Sequence, residues 1–131
     1  MYSFLLQDWI TLSGNPTVTN ITQSELDWMS FQPYQDIVLY TECKSLQLAG
    51  ANNIQIIYET SPTKDESLFS AMATVSLEVN QVQVSPIILA TAPAIPLARW
   101  VRWRLHVDGV ADSNWLTTFR LHCAANAVGV I

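Results

Sequence analysis

The sequence predicts an all-β domain of the sandwich type, jelly-roll-like, with about eight strands and at most one short helix. Three observations predict it. Apolar and polar residues alternate with period two along most of the chain. Clusters of Gly, Pro, Asn, Asp and Ser punctuate those runs at the spacing of short strands. No heptad, internal repeat or sustained helical period interrupts the pattern. A chain of 131 residues is long enough for one core and too short for two, so residues 1–131 are read as a single domain.

The first extended segment places Phe4, Leu6, Ile10 and Leu12 on one face and Gln7 and Thr11 on the other. Gly14-Asn15-Pro16 ends it as a turn. Thr17 to Thr22 is rich in β-branched residues and reads as a second strand. Residues 23–35 are irregular, and their aromatics Trp28, Phe31 and Tyr34 are expected to plug one end of the core. Asp36 to Leu48 is a long strand with Ile37, Leu39, Thr41 and Cys43 in one phase. The Ala49-Gly50-Ala51-Asn52-Asn53 turn should return the chain into Ile54–Thr60 as a hairpin.

Ser61 to Glu66 breaks the alternation, and Ser67–Ala73 suits one helical turn with Leu68, Phe69 and Met72 facing in. Val75, Leu77 and Val79 alternate against Ser76 and Glu78. Gln81–Thr91 is another strand, with Pro86 marking an edge or a bulge, because proline cannot donate to a ladder. Ala92–Pro96 is a stiff connector. The clearest strand is Arg99–Val107, where Val101, Trp103, Leu105 and Val107 oppose Trp100, Arg102, Arg104 and His106. Asp108-Gly109 should turn it into Trp115–Cys123, with Thr118, Arg120 and His122 on the polar side.

Composition narrows the function. Half the residues are hydrophobic, which excludes a disordered chain, and only 13% are charged, against about 25% in an ordinary soluble domain. Lysine is scarce, with Lys44 and Lys64 alone, and lysine is depleted where proteins meet one another. The deficit fits either a Ser/Thr/Asn/Gln surface or a surface covered by other subunits. A net charge of -5 argues against a nucleic-acid partner. The first eight residues lack the basic and apolar regions of a secretory signal, and no uncharged apolar run is long enough to span a bilayer.

Few residues are grouped as chemistry would need them. Cys43 and Cys123 lie 80 positions apart without a CxxC, so they read as buried thiols, with a disulfide open only if their strands are neighbours. His106 and His122 are the sole histidines, and no GxSxG, calcium loop or phosphate loop is present. No enzyme activity, cofactor or metal is expected. The strongest constellation is basic. If 99–107 and 115–123 pair, then Arg102, Arg104, His106, Arg120 and His122 line one sheet face, with Glu42 and Glu59 available as internal ion-pair partners. That face could equally meet a carboxylate, a phosphate or an acidic neighbour. Of the five tryptophans, Trp103 and Trp115 fall in core phase, while Trp28 and Trp100 are the candidates for an exposed platform.

The segments Tyr58-Glu59-Thr60-Ser61-Pro62, Leu97–Leu105 and Trp115–Leu121 resemble, in strand texture, small β-sandwich proteins of phage-like particles that decorate capsids or build tails. The resemblance covers the C-terminal half and carries over no functional residue. It implies a non-enzymatic structural role in a repeating assembly. The apolar segments Phe4-Leu5-Leu6 and Ala127–Ile131 fit the same role as docking arms or, alternatively, as an ordinary strand and tail. The expected partners are copies of the chain or another structural protein, with carbohydrate as the alternative ligand. The expected location is a virion or similar particle, reached from the cytoplasm.

Overall fold

The computed structural model describes residues 2–14, 20–48, 53–88, 95–108 and 114–127. Within them the chain forms nine strands: β1 (Tyr2–Gly14), β2 (Asn20–Thr22), β3 (Met29–Ser30), β4 (Tyr34–Gln47), β5 (Asn53–Ser61), β6 (Ser70–Ser76), β7 (Gln81–Ile87), β8 (Trp100–Asp108) and β9 (Trp115–Ala127). They build two antiparallel sheets. Sheet A has the order β1-β9-β4-β7, and sheet B has the order β2-β8-β5-β6, with the short β3 also pairing β8.

The pairings reduce to one idea. The chain behaves as a long hairpin with its tip at β5–β6, whose arms pair outward as β4 with β7, β2 and β3 with β8, and β1 with β9. Rolling that hairpin brings β9 against β4 and β8 against β5, which closes the two sheets into a jelly roll. Two expected hairpins are therefore corrected. β4 and β5 do not pair, and neither do β8 and β9; each couple is split between the sheets. The reason is burial. The apolar sides of β8 and β9 face each other across the sandwich, where the Trp103 and Phe119 rings meet edge to face at 5.3 Å. Likewise Thr41 of β4 and Tyr58 of β5 share a hydrogen bond of 2.6 Å through the interior.

The core holds Ile37, Leu39, Ile54, Ile56, Leu105, Trp115 and Leu121, among others, all essentially inaccessible. Phe31 plugs one end, edge to face with Phe4 and Tyr34. Gln7, expected to face out, turns inward beside two bulges in β1 and accepts a hydrogen bond from the Trp103 indole at 3.2 Å. The expected helical turn is a single 3₁₀ turn, Glu66–Leu68, started by the Asp65 carboxylate accepting from the Ser67 amide. Leu68 is exposed there, because extended backbone from Phe69 onward joins β6 to β5. β6 stops at Ser76 and leaves Val79 exposed.

Pro86 lies on β7, an edge of sheet A, as its missing amide requires. Phe4-Leu5-Leu6 is part of β1 and so is not a free arm, while of the expected arm at 127–131 only Ala127, the last residue of β9, is described. The expected turns at 15–16, 49–52 and 109, the connector at 92–94, strand residues 17–19 and 89–91, and the tail from 128 fall outside the described residues. No helix among the described residues is long and apolar enough to cross a membrane.

Candidate interface on the outer sheet faces

Because β8 and β9 lie in different sheets, the five basic residues do not share a face. Arg102, Arg104 and His106 belong to the outer side of sheet B, and Arg120 and His122 to that of sheet A. This corrects the single basic surface expected from the sequence. The expected acids are found in place: Glu59 serves sheet B and Glu42 serves sheet A.

On sheet B the charges close on themselves. Arg102 is only 4% accessible although it points away from the core. The residues around β2 and β3 fold Trp28 over it, and the turn before β6 adds Phe69, so the guanidinium lies 4.9 Å and 4.0 Å from the two ring centroids. Its Nε donates to Glu59 Oε1 at 2.9 Å, while the exposed Glu66 carboxylate stands 3.8 Å from Nη1. Arg104 donates to the other oxygen of Glu59 at 3.4 Å and to Asn20 at 2.7 Å, and Asn20 also meets His106 Nδ1 at 3.0 Å. Trp28 and Trp100 are consequently not free platforms. Trp28 is covered by the Arg102 guanidinium and meets the Phe69 ring edge to face, and Trp100 carries Lys64 and Arg99 on its ring.

Gln23 ties this region to sheet A. Its buried amide donates to the carbonyls of Leu6 and Asp27, and its backbone donates to Trp103. Nothing in the alternation marks it, since its role depends on a loop crossing between sheets.

The outer face of sheet A is different in kind. Register places Leu5, His122, Tyr40 and Val84 in one row across four strands. Beside it run Ser3, Ala124, Val38 and Pro86, and then Arg120, Glu42 and Val82. Arg120 and Glu42 neutralise each other at 2.7 Å, and the guanidinium rests 4.6 Å above the Trp9 ring. The edge strand β7 is inverted: Val82 and Val84 point out and are 59% and 54% exposed, while Gln83 pairs with inward Thr41 and Ser85 with inward Leu39. Leu5 and Trp9 are exposed as well.

Two concavities open on this face. One, of about 380 Å³, is lined by Trp9, Glu42, Lys44, Asn80 and Gln81 among others. The second, of about 440 Å³, is lined by Tyr40, Glu42, Val82 and His122 among others. Trp9 is thus the exposed tryptophan that sequence reasoning passed over. Its odd position, out of phase with Phe4, Leu6, Ile10 and Leu12, carried the signal. The thiols sit beneath, unpaired. Cys123 aligns with Leu39 and Cys43 with Phe119, four residues apart along the same ladder and out of bridging range. Burial raises both thiols, Cys123 to about 12, and so holds them protonated. Among the described residues no group of three His, Cys, Asp or Glu side chains gathers as metal ligands.

No family model and no curated protein matches this chain. Among solved structures, a chain in the structure of infectious bursal disease virus Gt strain aligns at TM-score 0.51 with 11% identity, covering 95% of this chain and 30% of the viral chain. A chain from the Gx strain structure aligns at TM-score 0.40 with 9% identity, covering 95% and 32%. This chain therefore spans about a third of the length of the chains it matches. The likeness to the Gt strain chain is one of fold.

Proposed function

We propose that the protein is a non-enzymatic structural subunit that self-associates or docks on a larger particle, such as a virion or virus-like shell. The observation that carries this reading is the outer face of sheet A. An edge strand that turns valines outward and glutamine and serine inward leaves apolar surface in water, unless another body covers it. The low charge of the chain and the internal neutralisation of Arg102, Arg104 and Arg120 support the same reading. So does a fold shared with a chain of a virus structure.

The test is the mass of the purified protein by light scattering after size exclusion, with imaging of any large species. A defined multiple of 14.6 kDa is expected. One observation favours a second reading, carbohydrate binding, at a position other than Trp28 or Trp100. Trp9 is 40% exposed at a concavity with Glu42, Lys44, Asn80 and Gln81, an aromatic surface beside polar groups. A 14.6 kDa monomer whose tryptophan fluorescence shifts with added oligosaccharide, and no longer does so after Trp9→Phe, would put that reading first.

A further inference from the structure

Resting on that reading, we propose that the occupant of the sheet A face is a second copy of this chain. The two copies pack face to face about a two-fold axis running along the strands between β9 and β4. Charge identifies the partner. Copies carrying a net charge of -5 repel one another over most approaches. At the centre of this face the ionised pair is Arg120 and Glu42, side by side in register and equal and opposite in charge. A patch with adjacent opposite charges is complementary to itself when rotated by a half-turn.

The sheet register then fixes what meets what. An axis between β9 and β4 lays each β9 over the other copy's β4, and each β1 over the other copy's β7. Arg120 of one copy faces Glu42 of the other, and the same contact repeats by symmetry. Leu5 faces Val84, so the exposed leucine of one edge strand covers the outward valine of the other. Two sheets stacked about 10 Å apart form the usual aligned packing. Strands of thirteen and fourteen residues at the centre of the sheet give a face of roughly 600 Å² per copy, about 1,200 Å² in the pair. That is the lower end of a stable specific interface.

The experiment uses the full chain and four variants, each checked for native near-ultraviolet circular dichroism. Val84→Lys, Glu42→Arg and Arg120→Glu should each reduce the associated mass to a single copy. Mixing Glu42→Arg with Arg120→Glu should restore association, because the two repulsive faces complement each other across the axis. If either charge variant loses its fold, Val84→Lys and Val82→Lys carry the test, since both valines are more than half exposed. Association undiminished in Val84→Lys and Val82→Lys, or a mixture of folded charge variants that stays monomeric, overturns the inference. The structural reading then survives through another surface. A wild type that remains at 14.6 kDa at every concentration also overturns it, and leaves docking on a foreign scaffold as the content of that reading.

Discussion

Arg102 shows how a charge can be closed off on the outside of a sheet. Its guanidinium and the Glu59 carboxylate are both nearly inaccessible, with side-chain exposures of 5% and 9%. Removing one member of such a pair strands the other in an apolar setting, which costs about 3–5 kcal/mol in typical cases. Arg104 also reaches Glu59 and offsets part of that loss. Arg102→Ala is therefore expected to destabilise the fold by about 3 kcal/mol in urea titration. The double change Arg102→Met with Glu59→Leu should sit closer to wild type, because it removes the stranded charge and leaves Trp28 and Phe69 something to pack on. A loss below about 1 kcal/mol for Arg102→Ala would mean that water reaches Glu59 and that the aromatic cover is open. The sequence put Arg102 on the polar side of its strand and offered Glu59 as its partner. It could not show the burial, since Trp28 and Phe69 come from loops whose course no periodicity encodes.

At the scale of elements, the end of β1 is fitted to its neighbour through Gly14. A methyl group there would stand 2.5 Å from Cζ2 of Trp115, and Trp115 is fully buried with no room to swing. Gly14→Ala is thus expected to cost about 1–3 kcal/mol as overpacking. It should also alter the Trp115 contribution to near-ultraviolet circular dichroism, and an unchanged melting temperature would refute the fit. This junction also marks what could be read in advance. Period two shows which side of a strand is apolar, and so Val101, Trp103, Leu105 and Val107 were correctly placed inward, as were Trp115, Phe119 and Leu121. It is blind to which strand lies alongside. A hairpin and two strands facing across a sandwich share one pattern, so alternation alone suggests β4–β5 and β8–β9 hairpins where the structure divides each couple between the sheets. The same blindness hid the candidate site. Val82 and Val84 alternate like any core pair, and only the register of β7 on β4 shows that their side is the outer one.

The whole molecule is held by contacts between the ends of the chain. Tyr2 aligns with Ala125, and β9 lies in the middle of sheet A with β1 on one side and β4 on the other. The hairpin tip β5–β6 joins residues close in sequence, so it closes at low entropic cost, while the outermost pair β1–β9 must bridge nearly the full length. A fold dominated by such pairings belongs among the slow folders, on the scale of milliseconds to seconds. It also makes the last strand indispensable. Without β9, sheet A has no centre: β1 loses its sheet partner, and Trp103 loses the Phe119 ring it packs against. Deleting residues 115–131 is therefore expected to abolish cooperative unfolding and near-ultraviolet dichroism together, rather than to lower the melting temperature by a few degrees. A truncated chain that still melts sharply would show that sheet B and β4–β7 fold without it. The same centrality bears on assembly, since Arg120 and His122 reach the outer face from β9, and that face exists only once the final strand has been laid in.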